Sequence, residues 1–347
     1  MTMGDILDNP ATNGVPRNRK DQILAAENLT CHFTRTKGPF YARKTETVKA
    51  LQDVSFGLGR GQSLGIVGES GSGKSTLARC LMRLETPTSG KILFKQEDIS
   101  QANSSALLPV RRDMQMVFQD PWASLNPRHT VAQIISEPWE IHPDVVPLAD
   151  RAQRIAELLE MVGLDKNFAH RFPNQFSGGQ RQRISIARAL ALQPDVLILD
   201  EAVSALDVSV QAQILNLLAG LREQLGMTYL FISHDLSVVR HICDRVAVMY
   251  LGRIVETGST EDIFRNPRHP YTRALLSAMP DAPESERVVL EGEVPSPLNP
   301  PSGCGFRTRC WLTSRSCADQ PPELLSSDVS DSSSSHKIAC FHPLQSI

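Results

Sequence analysis

Short, nearly continuous apolar runs predict the strands of a buried sheet. The segments "SLGIVG" (63–68), "VLILD" (196–200) and "TYLFIS" (228–233) have strand length and few polar positions. Strands covered on both faces read in this way, because none of their positions faces water. The runs alternate with helical segments, and this alternation predicts an α/β fold with a parallel core sheet.

Apolar residues three and four positions apart predict the helices. Residues 150–164 and 210–226 each present one such face, and residues 120–190 as a whole are interpreted as a helical insertion between β-rich parts. A further helix is predicted directly after Lys74. Its apolar face is predicted to consist of Leu77, Cys80, Leu81 and Leu84.

Composition along the chain suggests three segments. Residues 1–22 are polar and are interpreted as a flexible lead, residues 23–264 as one large α/β domain, and residues 265–347 as an extension. Proline becomes frequent after residue 265, residues 292–303 read as a linker, and residues 326–335 are a serine-rich low-complexity stretch. No internal repeat is present, which predicts a single copy of the domain.

Charge, aromatic content and hydropathy argue against a nucleic-acid binder and against a protein with its own membrane-spanning helix. The 347 residues carry a net charge of -2 and only 5% of them are aromatic, which argues against a nucleic-acid partner. No apolar run reaches the roughly 18 residues of a membrane-spanning helix. The first residues lack the apolar core of a signal peptide. Any link to a membrane is therefore predicted to come through a partner.

A glycine-rich loop predicts a phosphate site. Gly68, Gly73, Lys74 and Ser75 fill the pattern G-x-x-x-x-G-K-[ST], between a buried strand and a helix. Its backbone amides and the helix N-terminus would face phosphate oxygens, Lys74 would reach the β- and γ-phosphates, and Ser75 would ligate Mg²⁺. The predicted ATP-binding loop consists of Gly68, Glu69, Ser70, Gly71, Ser72, Gly73, Lys74, Ser75 and Thr76.

Polar residues at two strand ends complete a candidate hydrolytic centre. Asp200 and Glu201 follow one apolar strand, and His234 ends another. Asp200 is placed to hold Mg²⁺ through water, and Glu201 to polarise the attacking water. His234 is placed to contact the γ-phosphate and to orient Glu201 and the water. A solvated pair of acids and a structural histidine are the alternative interpretations of these residues.

A second glycine turn, "FSGGQRQR" (176–183), also opens a helix. Ser177 stands at the N-cap, and Gly178 and Gly179 leave the first amides open to an anion. Because the chain has only one loop of the GKS kind, this helix is predicted to grip a triphosphate bound to another subunit. Each nucleotide would then lie between two subunits, which close over it and relax after hydrolysis.

Four of the seven cysteines fall in the last 44 residues. Cys304, Cys310, Cys317 and Cys340 are separated by 5, 6 and 22 residues. In a reducing compartment such a group suggests a metal or cluster instead of disulfides. Four thiolates suit a [4Fe–4S] cluster or tetrahedral Zn²⁺, and unligated thiols remain the third alternative.

At this point the residues resemble the ATP-binding-cassette (ABC) family over about residues 25–264. The resemblance implies a P-loop NTPase fold with a β-rich subdomain and an inserted helical subdomain. It makes Gly68–Ser75 Walker A, Asp200 the Walker B aspartate and Glu201 the catalytic glutamate. The remaining motifs are Gln119 of the Q-loop, which is also a Mg²⁺ ligand, the signature Ser177, Gly178, Gly179 and Gln180, Asp207 of the D-loop, and the switch His234.

Two positions fit the family less closely. The family stacks an aromatic on adenine, and Phe33 is the positional candidate, with Tyr41 second. Ala202 stands where family members usually have proline after the glutamate. Because every charged catalytic position is intact, we expect an active ATPase with a slightly altered loop, and not a regulatory cassette that binds ATP without cleaving it.

The segments "MVFQDPWASLNPR", "SALDVSVQAQILNLL", "NPRHPYTRALLSAMP" and "SPLNPPSGCGFRTRC" are similar to ATP-binding subunits of oligopeptide and dipeptide importers. That branch implies a second cassette subunit in a heterodimer, two membrane permeases, an extracytoplasmic solute-binding protein and a place on the cytoplasmic face of the membrane. It often carries a C-terminal iron–sulfur motif, from which this chain departs at Thr308 and in its lengthened last spacer. The alternative function is a non-transport ABC ATPase that acts on nucleic acid or ribosomes.

Overall fold

The computed structural model describes residues 21–37, 44–280, 282–283, 287–327 and 336–345. The strands are β1 Gln22–Lys37, β2 Lys44–Gly59, β3 Ser63–Val67, β4 Ser89–Phe94, β5 Glu97–Asp98, β6 Met114–Val117, β7 Val196–Asp200, β8 Thr228–Ser233, β9 Arg245–Tyr250, β10 Arg253–Ser259, β11 Leu325–Ser326 and β12 Lys337–Ile338. The helices are α1 Lys74–Leu81, α2 Ser104–Asp113, α3 Pro121–Ser124, α4 Val131–Ile141, α5 Arg151–Met161, α6 Gly178–Leu190, α7 Val208–Leu225, α8 Leu236–Ile242, α9 Thr260–Arg265, α10 Pro270–Ser277 and α11 Ser316–Asp319. Short 3-10 helices span Leu148–Asp150, Lys166–His170 and Pro173–Gln175.

The larger sheet has the order β11-β12-β10-β9-β3-β8-β7-β6. Its strands β9, β3, β8, β7 and β6 run parallel to one another, whereas β10, β12 and β11 extend the β9 side of the sheet with antiparallel pairing. Every residue of β3, β7 and β8 is buried, which is why these strands read as apolar runs. The predicted α/β fold with a parallel core sheet is confirmed.

Successive residues of the core strands point into two different cores. Leu197 and Leu199 of β7 face the core that also contains the helical insertion. Val196 and Ile198 face the opposite core, beneath α1 and the smaller antiparallel sheet β2-β1-β4-β5. Alternation of side chains along a strand thus joins the β-rich and helical parts through one sheet. Both parts can therefore place residues at the same edge of that sheet.

The helical insertion consists of α3 to α6, residues 121–190. Its centre is Trp139, which is fully buried and whose indole Nε1 donates to the carbonyl of Ala191 at 2.9 Å. The predicted apolar face of α5 is buried as well. The helix after Lys74 is shorter than predicted, because α1 ends at Leu81 and Arg83 adopts a φ of 52°. Leu84 therefore lies outside the helix and is 51% exposed.

Residues near both ends of the described chain belong to the sheets. Strand β1 begins at Gln22, the last residue of the predicted lead, and residues 1–20 lie outside the described residues. Strand β12 pairs antiparallel with β10, so the C-terminal extension continues the core sheet. The stretch read as a linker lies against β2, where Lys49 donates its backbone N–H to the carbonyl of Pro297 at 3.0 Å.

Candidate functional site

Two glycines of the loop between β3 and α1 are required by the backbone. Gly68 has a φ of 151°, and a Cβ there would lie 2.1 Å from the carbonyl oxygen of Met249. Gly73 has a φ of 104°, and its Cβ would lie 2.4 Å from the carbonyl oxygen of Ala50. Both contacts are far shorter than a real Cβ allows, so the loop curls only with glycine at these positions.

Lys74, the first residue of α1, is buried in the loop. Its ammonium Nζ donates to the carbonyls of Gly68 and Glu69 at 2.7 and 2.9 Å. Burial lowers the pKa of Lys74, and the carboxylates of Glu201 and Asp200 oppose this effect. A buried cation whose hydrogen bonds in the described part of the chain go to carbonyl oxygens is placed to bind an anion that enters the loop.

Ser75 and Asp200 form the second part of the site. The Ser75 hydroxyl donates to Asp200 Oδ1 at 3.0 Å, which joins the start of α1 to the end of β7. Burial raises the pKa of Asp200, while the hydrogen bond from Ser75 lowers it. A hydroxyl and a carboxylate oxygen side by side are the hard oxygen ligands that Mg²⁺ prefers.

Glu201 is the meeting point of three segments. Its Oε2 accepts from Gln119 Nε2 at 2.9 Å and lies 3.4 Å from His234 Nδ1. The residue has a φ of 48°, and its backbone N–H donates to the carbonyl of Ile232 at 2.9 Å. A left-handed backbone at a non-glycine residue carries strain that a supporting structure must hold, and such positions concentrate at functional sites. Gln119, Glu201 and His234, which lie far apart in sequence, are thus brought together.

Lys74, Ser75, Gln119 and Glu201 line a cavity of about 400 Å³, and Asp200 and His234 reach it through their contacts with Ser75 and Glu201. Phe33 lies on its wall and is 37% exposed, while Tyr41 is outside the described residues. Sequence reasoning missed Pro297, whose proline-rich surroundings suggested only a linker. The described residues that line the cavity are Phe33, Val48, Ala50, Ser70, Gly71, Gly73, Lys74, Ser75, Thr76, Gln119, Glu201 and Pro297.

The second glycine turn lies elsewhere and does not line this cavity. Ser177 caps α6 by accepting from the amide of Gln180 at 3.4 Å, and the Gln180 side chain accepts from the Ser177 amide at 3.0 Å. A Cβ on Gly179 would lie 2.4 Å from Val210 Cγ1 of α7. Asp207, directly before α7, is exposed. The signature and D-loop segments therefore both lie beside the start of α7, with Ser177 and Asp207 exposed and Gly179 buried.

The four C-terminal cysteines converge on one small cavity. Cys304, Cys310, Cys317 and Cys340 all line it, and all seven cysteines of the chain are free thiols. Two of the sulfurs accept hydrogen bonds from backbone amides. The Leu312 N–H donates to Cys310 Sγ at 3.4 Å, and the His342 N–H donates to Cys340 Sγ at 3.3 Å.

Burial raises the pKa of Cys304 and Cys310, and that of Cys340 to about 12. Thiols so placed stay protonated unless a cation holds them as thiolates. Within the described residues, no group of three or more His, Cys, Asp or Glu side chains is arranged to hold a single metal ion.

A parallel sheet that presents a glycine-rich loop, a buried lysine and a strand-end Asp-Glu pair at one cavity defines a P-loop ATPase of the cassette class. The chain belongs to the ABC transporter family. The family model described as "ABC transporter" matches residues 51–204, and the model "Oligopeptide/dipeptide transporter, C-terminal region" matches residues 255–317. The resemblance drawn from the sequence is confirmed, and the chain is an ATPase subunit coupled to transport.

Full-length relatives agree with the family models. The oligopeptide transport ATP-binding protein AppF of Bacillus subtilis is 51% identical to this chain and covers 92% of it, and the chain covers 97% of AppF. The dipeptide transport ATP-binding protein DppF of Haemophilus influenzae is 48% identical, with 95% and 99% covered.

Solved structures share the fold. The dimeric ATP-binding cassette MJ0796, in a post-hydrolysis state bound to ADP and Pi, has a TM-score of 0.60 and 31% identity, covering 68% of this chain and 98% of its own. CbiO1 of Clostridium perfringens, part of the cbiONQ transporter complex, has a TM-score of 0.59 and 30% identity, covering 70% of this chain and 91% of its own. Among the described residues, no helix is long and apolar enough to cross a membrane.

Proposed function

We propose that this chain binds and hydrolyses ATP to energise an importer of peptides. The observation that carries the proposal is the contact of Gln119, Glu201 and His234 beside Lys74, Ser75 and Asp200, at a cavity lined by the glycine-rich loop. The peptide cargo is inferred from relatives named for oligopeptide and dipeptide transport. The relatives give no support to the alternative function on nucleic acid or ribosomes.

Each residue has a role in the proposed reaction. The phosphate loop and Lys74 bind the β- and γ-phosphates, and Phe33 supports the adenine. Mg²⁺, which Ser75, Asp200 and Gln119 would hold, supplies charge neutralisation of the phosphates when bound. Glu201 accepts a proton from the attacking water, and His234 orients Glu201 and contacts the γ-phosphate. The left-handed backbone of Glu201 aims its carboxylate into the cavity, between Gln119 and His234.

Hydrolysis on this proposal needs a second cassette. In a single chain the residues Ser177, Gly178, Gly179 and Gln180 lie away from the cavity that holds Lys74. We infer that they complete the cavity of the partner subunit, with Asp207 at the same interface. A helix N-terminus contributes about 0.3–2 kcal/mol toward an anion, so closure would depend on the full charge of the γ-phosphate.

The assembly implied by the family contains membrane permeases and a solute-binding protein. We propose that the second cassette is a different subunit, which makes the ATPase a heterodimer. The permeases would hold the chain at the cytoplasmic face of the membrane. Co-purification of the chain with membranes only when hydrophobic permease subunits are co-expressed is the measurement that supports this attachment.

Glu201→Gln in the reconstituted transporter tests the catalytic proposal. General acid–base catalysis contributes about 10²–10⁴-fold, so we expect a loss of ATPase of that size while the full chain still binds Mg-ATP. Glu261→Gln, which changes an exposed carboxylate on α9, is the matched control and should hydrolyse ATP normally. Unchanged steady-state hydrolysis by Glu201→Gln would remove Glu201 from the mechanism.

We also propose that the four cysteines hold a [4Fe–4S] cluster. A structural zinc site needs four sulfurs about 2.3 Å from one ion, whereas a cluster accepts its thiolates further apart. Amide donors to the sulfurs of Cys310 and Cys340 suit either group. Anaerobic purification with iron, sulfide and zinc assays distinguishes them. About four irons and four sulfides per chain are expected, with loss in Cys310→Ser. Zinc or metal-free protein under these conditions would contradict the proposal.

A further inference from the structure

Glu69, the second residue of the phosphate loop, is held by the C-terminal region from two sides. Its carboxylate forms a two-pronged ion pair with Arg309, with Nη1–Oε2 at 2.8 Å and Nη2–Oε1 at 3.3 Å. Its backbone N–H donates to the hydroxyl of Tyr271 in α10 at 2.9 Å. Arg309 is 8% exposed and Glu69 26% exposed, so water screens this pair only in part.

The same residue positions the phosphate-binding lysine. The carbonyl of Glu69 accepts from Lys74 Nζ at 2.9 Å and from the amide of Ser72 at 3.2 Å. Any displacement of Glu69 therefore moves a direct partner of Lys74. The side chain and the amide of Glu69 contact the C-terminal region, while its carbonyl contacts the nucleotide site.

Arg309 neutralises the negative charge of Glu69, which would otherwise repel a triphosphate. A carboxylate in a loop that must receive a triphosphate repels its ligand, and the repulsion grows as water is excluded. The Arg309 guanidinium neutralises this carboxylate with the fork geometry in which arginine binds carboxylates most strongly. Lysine in the same place would keep the charge but not the paired hydrogen bonds.

A buried aromatic cluster supports both partners of Glu69. The Phe306 ring is 1% exposed and lies 5.3 Å from the rings of Tyr250 and Tyr271. Arg309 donates its backbone N–H to the carbonyl of Phe306 at 3.0 Å. Tyr271 and Arg309 thus both contact Phe306, and this shared packing holds them at a fixed distance from the phosphate loop.

We propose that Arg309 and Tyr271 are positioning residues for nucleotide binding. They neutralise and fix Glu69, and through its carbonyl they set the position of Lys74. The inference rests on the proposed phosphate-binding role of residues 68–76 and adds to it a contribution from the C-terminal extension.

Calorimetric titration of the full chain with Mg-ADP tests the proposal. We expect Arg309→Met to weaken binding about tenfold, which is about 1.4 kcal/mol. Arg309→Lys should lose less, because the charge remains. The double variant E69Q/R309M should regain most of the lost affinity, because the carboxylate that needed neutralisation is gone. Arg315→Met, an exposed arginine of the same extension, is the matched control and should bind normally.

Three further measurements make the outcome decisive. Melting of each variant without nucleotide reports structural damage separately, and a lower melting temperature with unchanged affinity in Arg309→Met would overturn the proposal. A double variant as weak as Arg309→Met would also overturn it. In the assembled transporter we expect Arg309→Met to raise KM for ATP with little change in kcat. Normal binding by Lys74→Ala would instead refute the phosphate site itself, which keeps the two failures apart.

Discussion

Gly179 offers the sharpest test of how the second glycine turn works. A Cβ there would lie 2.4 Å from Val210 Cγ1, whereas ordinary van der Waals contact begins at 3.4 Å. The β-branched valine cannot swing away freely, so Gly179→Ala must shift α6 or α7. Overpacking costs about 1–3 kcal/mol, and alanine in a helix returns about 0.5–1 kcal/mol, so we expect a net loss near 1 kcal/mol of unfolding free energy.

The compensating change Val210→Ala separates packing from catalysis. It removes the clashing methyl, so the double variant G179A/V210A should recover the unfolding free energy measured in urea, relative to Val210→Ala alone. Its ATPase activity in the assembled transporter should recover as well, because the added methyl points at α7 of the same chain and leaves the N-terminus of α6 open to the partner's phosphates. Hydrolysis that stays low in a double variant of normal stability would refute that reasoning and show that Gly179 itself must approach the partner's phosphates.

Two further predictions concern nucleotide binding and the attachment of the extension. Phe33→Ala should weaken nucleotide binding by the full chain about tenfold, since an aromatic–base stack contributes about 1–3 kcal/mol. Phe172→Ala, which changes another exposed phenylalanine, should leave the affinity unchanged. Equal affinities of the two variants would remove Phe33 from the adenine site. Glu256 is fully buried and accepts hydrogen bonds from His336 Nε2 at 2.7 Å and from two backbone amides. Glu256→Gln should therefore lower the free energy of unfolding in urea by about 2–4 kcal/mol. The exposed Glu261→Gln should lower it by less than about 0.5 kcal/mol. A loss for Glu256→Gln no larger than that of the control would show that the buried carboxylate is not needed.

Patterns that lie within a few residues of one another were readable from the sequence. The loop at 68–76 combines backbone conformations that only glycine reaches with a lysine at a helix start, and both signals are local. Strands β3, β7 and β8 were predicted because strands buried on both faces appear in the sequence as short, nearly continuous apolar runs. The parallel arrangement of these strands then places Asp200, Glu201 and His234 at the same edge of the sheet.

Contacts between distant segments carried no such signal. Arg309 and Glu69 are 240 residues apart, and nothing near either residue indicates the other. Pro297 was hidden in a proline-rich stretch whose composition is that of a linker, although its carbonyl is bound to β2. Leu84 kept the helical spacing of α1, but the left-handed backbone of Arg83 ended the helix first, and spacing alone does not report where the chain turns.

The lining of the proposed nucleotide cavity has a consequence for how the chain is made. Pro297 lines the cavity and Arg309 holds its phosphate loop, yet both emerge from the ribosome long after the loop itself. A ligand at free concentration L stabilises the folded form by RT ln(1 + L/Kd), so weaker binding gives less stabilisation. With the about tenfold weaker binding expected without Arg309, a nascent or truncated chain would gain up to about 1.4 kcal/mol less from cellular ATP than a completed chain.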